Sequence, residues 1–574
     1  MTTATRHDEA AQRGRQVTVY QILAEDLRDF GVEAVFGLMS DDTADFAVTI
    51  DAIGIPFHGA RHENIAIAMA EGYAEATGKL GVAVVGRGPA TANGLHGAVF
   101  ASRTGSRVLI IYGEMPVPGY ARNSIGPDYK GFDANGVLNA AGLQSFVATS
   151  AAAARPALAD AVAAAMRGTA VTLRLPTNVQ LARIAVAEDD PGPVLPPPAP
   201  PPAAARPQAI DAAVALLAQA KRPLIIGGYG AHRSGASAAL RQLGDRLGAL
   251  LVTSARAKDL FLGHPFNLGI LGSFSHSAAR RLIDQADCVL CFGAGLNFLT
   301  MSFGHSLPEA PLIQVDAVRA SIGQWTTADI AVVGDARLAA EQLLDRLPER
   351  AAADKPFHAD EVRQFLADFD MAEDFEPANT ARTLDPRALA VALDRMLPAK
   401  RNMIYDGGNF LGVVPYFSTP GPGHFKMTNT FASIGLSFGA ALGFAKARPD
   451  ETTVLVIGDG GFAMTMGELE TVVREDLPLV IVLMNDCAYG AELHFLRMHQ
   501  LPVSKSLFPD VDYAPVAEAF GYRTATVRTL DEVEALAPML REPDGPIFID
   551  CKINAEVAAP FMSEFAQFEA KDEH

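Results

Sequence analysis

Residues 452–490, TTVLVIGDGGFAMTMGELETVVREDLPLVIVLMNDCAYG, restrict the fold more than any other stretch of this 574-residue chain. Two β-branched apolar runs, 453–457 and 479–484, flank a segment of helical character. A strand–helix–strand unit closes as a right-handed crossover, so its strands run parallel and both following turns emerge at one edge of the sheet. That edge is where open α/β folds bind ligands. The first turn holds Asp459 among Gly458, Gly460 and Gly461; the second holds Asn485 and Asp486. The glycines leave backbone amides open to an anion, and the helix that follows points its N-terminus at it. Phosphate beside two carboxylates is repelled unless a cation lies between them, and hard oxygen ligands with phosphate point to Mg²⁺ or, less often, Ca²⁺. The plainer alternative is a glycine-rich turn with two solvated acids, and the second acidic turn one unit later counts against it.

The same alternation of short apolar runs and amphipathic helices recurs along the chain, predicting an α/β protein of three open parallel-sheet domains. Strands are expected at 82–85 and 108–112, at 223–226, 249–252, 288–292 and 312–315, and at the two runs above, with a helix over 64–77 ending at Gly78. The expected boundaries are a flexible N-terminus at 1–15, a first domain at 16–190, a proline-rich linker at 191–207, a central domain at 208–350, a third domain at 375–555, and a tail at 556–574, irregular in isolation, whose Phe561, Phe565 and Phe568 are placed to fold over the entrance of a site. Cys288 and Cys291 form a CxxC within an apolar run; three positions apart on a strand they face opposite ways, so they read as core and not as ligands. A formal charge of −19 with no dense basic cluster argues against nucleic-acid binding. No apolar run is long enough to cross a bilayer and no secretory signal opens the chain, so a soluble, cytoplasmic protein with a small-molecule substrate is expected.

The GDG turn, a spacer of about 25 residues and an Asn-Asp pair resemble the cofactor motif of thiamine-diphosphate enzymes. Position by position, the resemblance implies metal ligands at Asp459, Asp486 and the carbonyl of Ala488, with Gly458, Gly460, Gly461, Tyr489 and Gly490 beside the cofactor. A second block, RHENIAIAMAEGYAEATGKLGVAVV, is similar to one in acetolactate synthases and their relatives, and places Glu63 as the activating acid. A carboxyl group sharing a proton with the aminopyrimidine favours the tautomer that activates the thiazolium. In NTFASIGLSFGAALGFA, Ile434 falls where the family puts an apolar side chain under the bent cofactor, and the carbonyl of Ala432 where it accepts the amino group. Gly408 and Asn409, in DGGNFLG, match the diphosphate region. The domain order resembles the acetolactate synthase, pyruvate decarboxylase and benzoylformate decarboxylase group. Glu63 and Asp459 fall in different domains, and the family joins those domains across subunits. A homodimer at minimum is implied, with a homotetramer the common assembly.

Departures from acetolactate synthases bear on the chemistry. Their GYPGG loop is here GLMSDD, placing Asp41 at an active-site aspartate of pyruvate decarboxylases, and Glu492 lies six residues after Asp486, at the spacing of a catalytic glutamate there. Two such acids suit proton transfer; two solvated acids are the alternative. DYKGFDANG replaces the FQE stretch, and Arg87 stands where acetolactate synthases have serine, suited to a carboxylate or phosphate or else to a salt bridge. His62, His96 and His494 rank no higher than packing or surface residues. The central turn GAGLNFLTMSFG resembles that of oxalyl-CoA decarboxylases and 2-hydroxyacyl-CoA lyases more than the FAD-binding turn of acetolactate synthases. It counts against FAD and leaves an ADP or CoA moiety, beside the acid Asp316, or an empty domain. The first expectation is therefore a lyase or carboligase acting on a 2-oxo acid. The alternatives are a 2-hydroxyacyl-CoA lyase and, against the intact Glu63, a non-catalytic cofactor-binding scaffold.

Overall fold

The computed structural model describes residues 15–117, 129–194 and 201–572. The expected flexible N-terminus up to residue 14, Asp128 of the DYKGFDANG stretch, and 195–200 of the proline-rich linker lie outside the described residues. Among the described residues no helix is long and apolar enough to cross a membrane.

Three six-stranded sheets organise the chain. Every strand pairing within them is parallel, as the fully apolar runs predict. Numbered within its own domain, the first sheet runs 2-1-3-4-6-5, and so does the third. The central sheet runs 3-2-1-4-5-6, the doubly wound order of dinucleotide-binding folds. In the third sheet the strands Arg401–Tyr405, Thr452–Gly458 and Leu479–Asn485 are neighbours. The chain reverses its winding between the first two of these, which opens a crevice at their C-terminal ends. The expected strands all form, most with one residue more at an end, and the run expected at 249–252 is Leu250–Thr253. Cys288 packs with Leu290 and Phe292 on one face of the central sheet, and Cys291 with Val289 on the other.

The helix expected from residue 64 is Glu63–Thr77: His62 is its N-cap, its Nδ1 accepting from Asn64 N at 3.1 Å, and Gly78 closes it in the left-handed region at φ 71°. This helix lies against Leu436–Ala447 of the third domain, backbone almost on backbone. A Cβ at Gly443 would sit 2.1 Å from Met69 O, and one at Gly72 2.3 Å from Ala440 O. Beside this contact a buried polar cluster joins all three domains. Lys426 of the third donates to Glu71 of the first at 2.6 Å, Ser106 bridges Glu71 and Glu75, and Tyr229 of the central domain donates to Glu75 at 2.8 Å.

The tail corrects one expectation. Residues Pro560–Asp572 form a helix rather than an irregular end. Phe561, Phe565 and Phe568 recur at helical spacing, and the central domain covers that apolar face. Phe565 and Phe568 meet Phe303 with ring centroids 5.6 and 5.9 Å apart, and Phe561 meets Phe274 at 6.1 Å. The helix Pro207–Leu217 likewise begins on the last residue of the expected linker, because proline at a first helical position is pre-set for it.

Candidate functional site

Each acid of the site ends a buried strand. Asp459 follows Thr452–Gly458 and is the first residue of helix Asp459–Thr465, with Gly460 N donating to its own carboxylate at 3.0 Å. The two polar residues after Leu479–Met484 divide their work. Asn485 turns into the sheet and donates to Asp550 at 2.9 Å, which leaves Asp486 to face the crevice. Cys487, next in the chain, is held in the left-handed region at φ 58°. That conformation is costly for a side chain larger than glycine and turns the chain so that Ala488 joins the same wall. Ala432 is likewise left-handed, at φ 51°.

These residues line one cavity of about 370 Å³. Its polar end is made by Gly408, Asn409, Gly458, Asp459, Gly460, Gly461, Asp486, Ala488 and Gly490. Ala432, Ile434, Tyr489 and Glu492 stand along it, so that thirteen of the residues expected at the site come together. The glycines are there because nothing larger fits. A Cβ at Gly490 would lie 2.3 Å from the Asp486 carboxylate, and one at Gly461 2.2 Å from that of Asp406. Burial, together with the nearby Asp486, pushes the Asp459 carboxyl up to about 8, and burial pushes Asp486 up to about 7. Two buried carboxylates that resist ionising side by side are the electrostatic signature of a place that a cation completes. Among the described residues no three His, Cys, Asp or Glu side chains cluster as metal ligands. Oxygen donors beyond these two carboxylates would have to come from the main chain on the same wall, where Ala488 stands. The residues present fit a divalent cation with a diphosphate.

Three expected residues stand differently. The side-chain amide of Asn409 is engaged with the chain before the tail helix, donating to Val557 O and accepting from Ala559 N, each at 2.8 Å. Glu63 is buried at the C-terminal edge of the first sheet, where Asn93 donates to it at 3.2 Å, and it does not line the cavity. Asp41 is exposed and also stands off the cavity, paired with Lys130, whose hydrogen bond holds its carboxyl below the usual range. Arg87 lies against Asp42, its backbone N–H donating to that carboxylate at 2.8 Å, so it belongs to the same sheet edge as Asp41. His62 caps its helix, His96 lies 2.7 Å from Ser433 Oγ, and His494 sits on the helix that carries Glu492.

Sequence reasoning missed Asp406. It ends the strand Arg401–Tyr405, is fully buried, and accepts from Gly435 N at 2.7 Å; burial raises its carboxyl to about 6. The strand-end logic that found Asp459 would have found it in DGGN. The tail residues Phe561 and Phe565 do lie at this cavity, with Met562, as expected of the tail, and the turn singled out in the sequence brings Phe298, Leu299 and Phe303 to them beside Phe274. The sequence did not show that turn and tail meet, because they do so only through domain packing.

Comparison with known proteins identifies the three domains. The thiamine pyrophosphate enzyme N-terminal TPP binding domain matches residues 17–133, the central domain 210–343, and the C-terminal TPP binding domain 406–551. The chain is 26% identical to a probable acetolactate synthase large subunit of Methanocaldococcus jannaschii, over 93% of this chain and 91% of that one. It is 26% identical to acetolactate synthase isozyme 3 large subunit of Escherichia coli, over 90% of each. It is also 26% identical to a sulfoacetaldehyde acetyltransferase of Castellaniella defragrans, over 95% and 93%.

Proposed function

Because this chain belongs to the thiamine pyrophosphate enzymes, we propose that it is a thiamine-diphosphate-dependent carbon–carbon lyase or carboligase acting on a 2-oxo acid. The observation that carries this reading is the cavity where two buried carboxylates, glycine amides and a helix N-terminus converge below an apolar chamber. When bound, thiamine diphosphate supplies the electron sink for a bond broken beside a carbonyl. The chain's own residues do the rest. Asp459, Asp486 and the Ala488 carbonyl would hold Mg²⁺, whose charge would clamp the diphosphate rather than act as the electrophile. The amides of Gly460 and Gly461 would meet the diphosphate. Ile434 would support the cofactor, and the Ala432 carbonyl would accept from its amino group.

Glu63 does not reach this chain's cavity, so in our reading a second copy supplies it and the working unit is a homodimer or a dimer of dimers. The same partner edge carries Asp41. Asp41 and Glu492 are the two carboxylates that would exchange protons with the reacting carbonyl, Asp41 once substrate draws it away from Lys130. The relatives' names, acetolactate synthase and sulfoacetaldehyde acetyltransferase, support joining an acyl unit to a carbonyl acceptor.

The test is CO₂ release from a panel of 2-oxo acids, with and without aldehyde acceptors, using protein loaded with Mg²⁺ and thiamine diphosphate. Turnover that Glu63→Gln abolishes while cofactor binding persists is expected. Formyl-CoA formation from a 2-hydroxyacyl-CoA, with no 2-oxo acid consumed, would overturn the reading in favour of a thioester lyase.

A further inference from the structure

The two ends of the cavity differ in chemistry. One carries the acids and glycine amides. The other is walled by Phe298, Leu299 and Phe303 from the central-domain turn and by Phe561, Met562 and Phe565 from the tail helix. We propose that one of the two carbonyl substrates bears a bulky apolar group, branched or aromatic, which seats between that turn and that helix. This rests on the reading of the cavity as the cofactor's and names the substrate class it takes.

The wall is built rather than incidental. Leu296, Ser302 and Phe303 are all held in the left-handed region, at φ 51°, 44° and 54°. Non-glycine residues keep such conformations only where the surroundings over-determine them. The surroundings here are specific. Ser273 N donates to Leu299 O at 3.0 Å, and Gly272, at φ 90°, lets the turn close in, since a Cβ there would lie 2.3 Å from the same oxygen. The tail helix is fastened to the same place. Glu564, only 8% exposed, accepts from Ser273 Oγ at 2.5 Å and from Arg280 at 3.0 Å. A buried carboxylate is tolerable only with such partners, so the latch fixes the helix and, with it, the direction of Phe561 and Phe565.

Charge and exposure give the occupant its chemistry. Among the described residues no Lys, Arg or His lines this cavity. An anionic tail would lose its water there without a counter-charge from this chain, which is costly. Phe298 nonetheless remains 47% exposed. Its ring, with Phe303 at 5.4 Å and Phe565 5.6 Å beyond, offers an apolar ligand group a complementary surface.

The experiment uses holoenzyme with Mg²⁺ and thiamine diphosphate and has two arms. In the first, kcat/KM is compared for pyruvate, 4-methyl-2-oxopentanoate and phenylpyruvate as donors, and for acetaldehyde and benzaldehyde as acceptors. Discrimination of about tenfold or more toward an apolar member of either series, expressed in KM, is expected. Phe565→Ala should cut that ratio about tenfold, and so should Phe298→Ala at its more exposed position. A preference for the small substrate, or none, in both series overturns the proposal. The second arm needs no turnover. Trp325, the chain's one tryptophan, stands edge-on to Phe298 at 6.2 Å, so its fluorescence reports on the wall. Phenylacetate should bind about tenfold more tightly than acetate, and Phe565→Ala should erase the difference. Equal affinities overturn the subsite whatever the turnover shows. Selective binding of phenylacetate with no 2-oxo acid consumed would uphold the subsite and sink the proposed reaction instead.

Discussion

Lys426→Met isolates the polar cluster that ties the three domains together. The ammonium is 5% exposed and lies 2.6 Å from Glu71, which has no exposure at all. Glu71 already stands above its ordinary value, through burial first, against the pull of Lys426 and with a push from Glu75; among the described residues its Oε2 has no hydrogen-bond partner. Removing the cation leaves a carboxylate in a nearly dry site with only Ser106 to support it. Breaking one partner out of a buried pair costs about 3 to 5 kcal/mol. In a cooperative unit of 150 to 250 residues that lowers the melting temperature by roughly 6 to 20 °C. The sign with pH follows from the raised carboxyl. The folded variant holds a proton that the unfolded chain releases above about pH 4.5, so its deficit grows as pH rises from there and shrinks on acidification. Glu71→Gln in the same chain removes the buried charge and should recover most of the loss. Differential scanning calorimetry of the two variants at pH 5.5 and 8 is the assay. A Lys426→Met protein melting within about 2 °C of the parent at pH 8, or no recovery in the double variant, would refute the ion-pair account of the junction.

Three further outcomes follow from the site. Gly490→Ala places a methyl group 2.3 Å from the Asp486 carboxylate, so Mg²⁺-dependent cofactor binding, read by calorimetric titration, should fall at least about tenfold while the fold, read by circular dichroism, persists. With divalent metal chelated, stability should decline as pH rises from about 4 through 8, since Asp459 and Asp486, raised by burial to about 8 and about 7, hold protons that the unfolded chain has lost. Asp486→Asn should flatten that slope, and saturating Mg²⁺ should remove it. Glu564→Ala leaves the Ser273 hydroxyl without its carboxylate acceptor and Arg280 with backbone carbonyls alone, and limited proteolysis should then cut the tail helix earlier than in the parent while circular dichroism stays unchanged.

What was legible in the sequence was what a single strand–turn–helix unit decides. Asp459 and Asp486 could be found because each directly follows an apolar run, and parallel strands deliver their C-terminal turns to one edge. The opposed faces of Cys288 and Cys291 followed from strand periodicity alone. Asp406 obeys the same rule yet was passed over, because its strand, RNMIY, opens with two polar residues and reads weakly as a strand. Asn409 was found by position and not by its partners. Nothing local says that its amide turns to Val557 and Ala559.

The aromatic wall was legible only from its tail side. Phe303 and Phe565 lie 262 positions apart in sequence and meet only when the tail helix docks on the central domain. That docking depends on Ser273, Arg280 and Glu564, each of which alone is an ordinary polar residue near a helix. The repeated 2-1-3-4-6-5 order of the first and third sheets was hidden likewise, since strand order is a property of crossovers and not of strands. That repetition makes Glu63–Thr77 and Leu436–Ala447 equivalent elements, each following the second strand of its sheet, and their glycine-mediated contact is thus one between like parts of two like domains. Such a contact joins the domains while leaving Glu63 off the cavity that Asp459 lines. In the proposed reading Glu63 therefore has to come from a second copy of the chain, and a catalytically competent monomer at high dilution would contradict that reading.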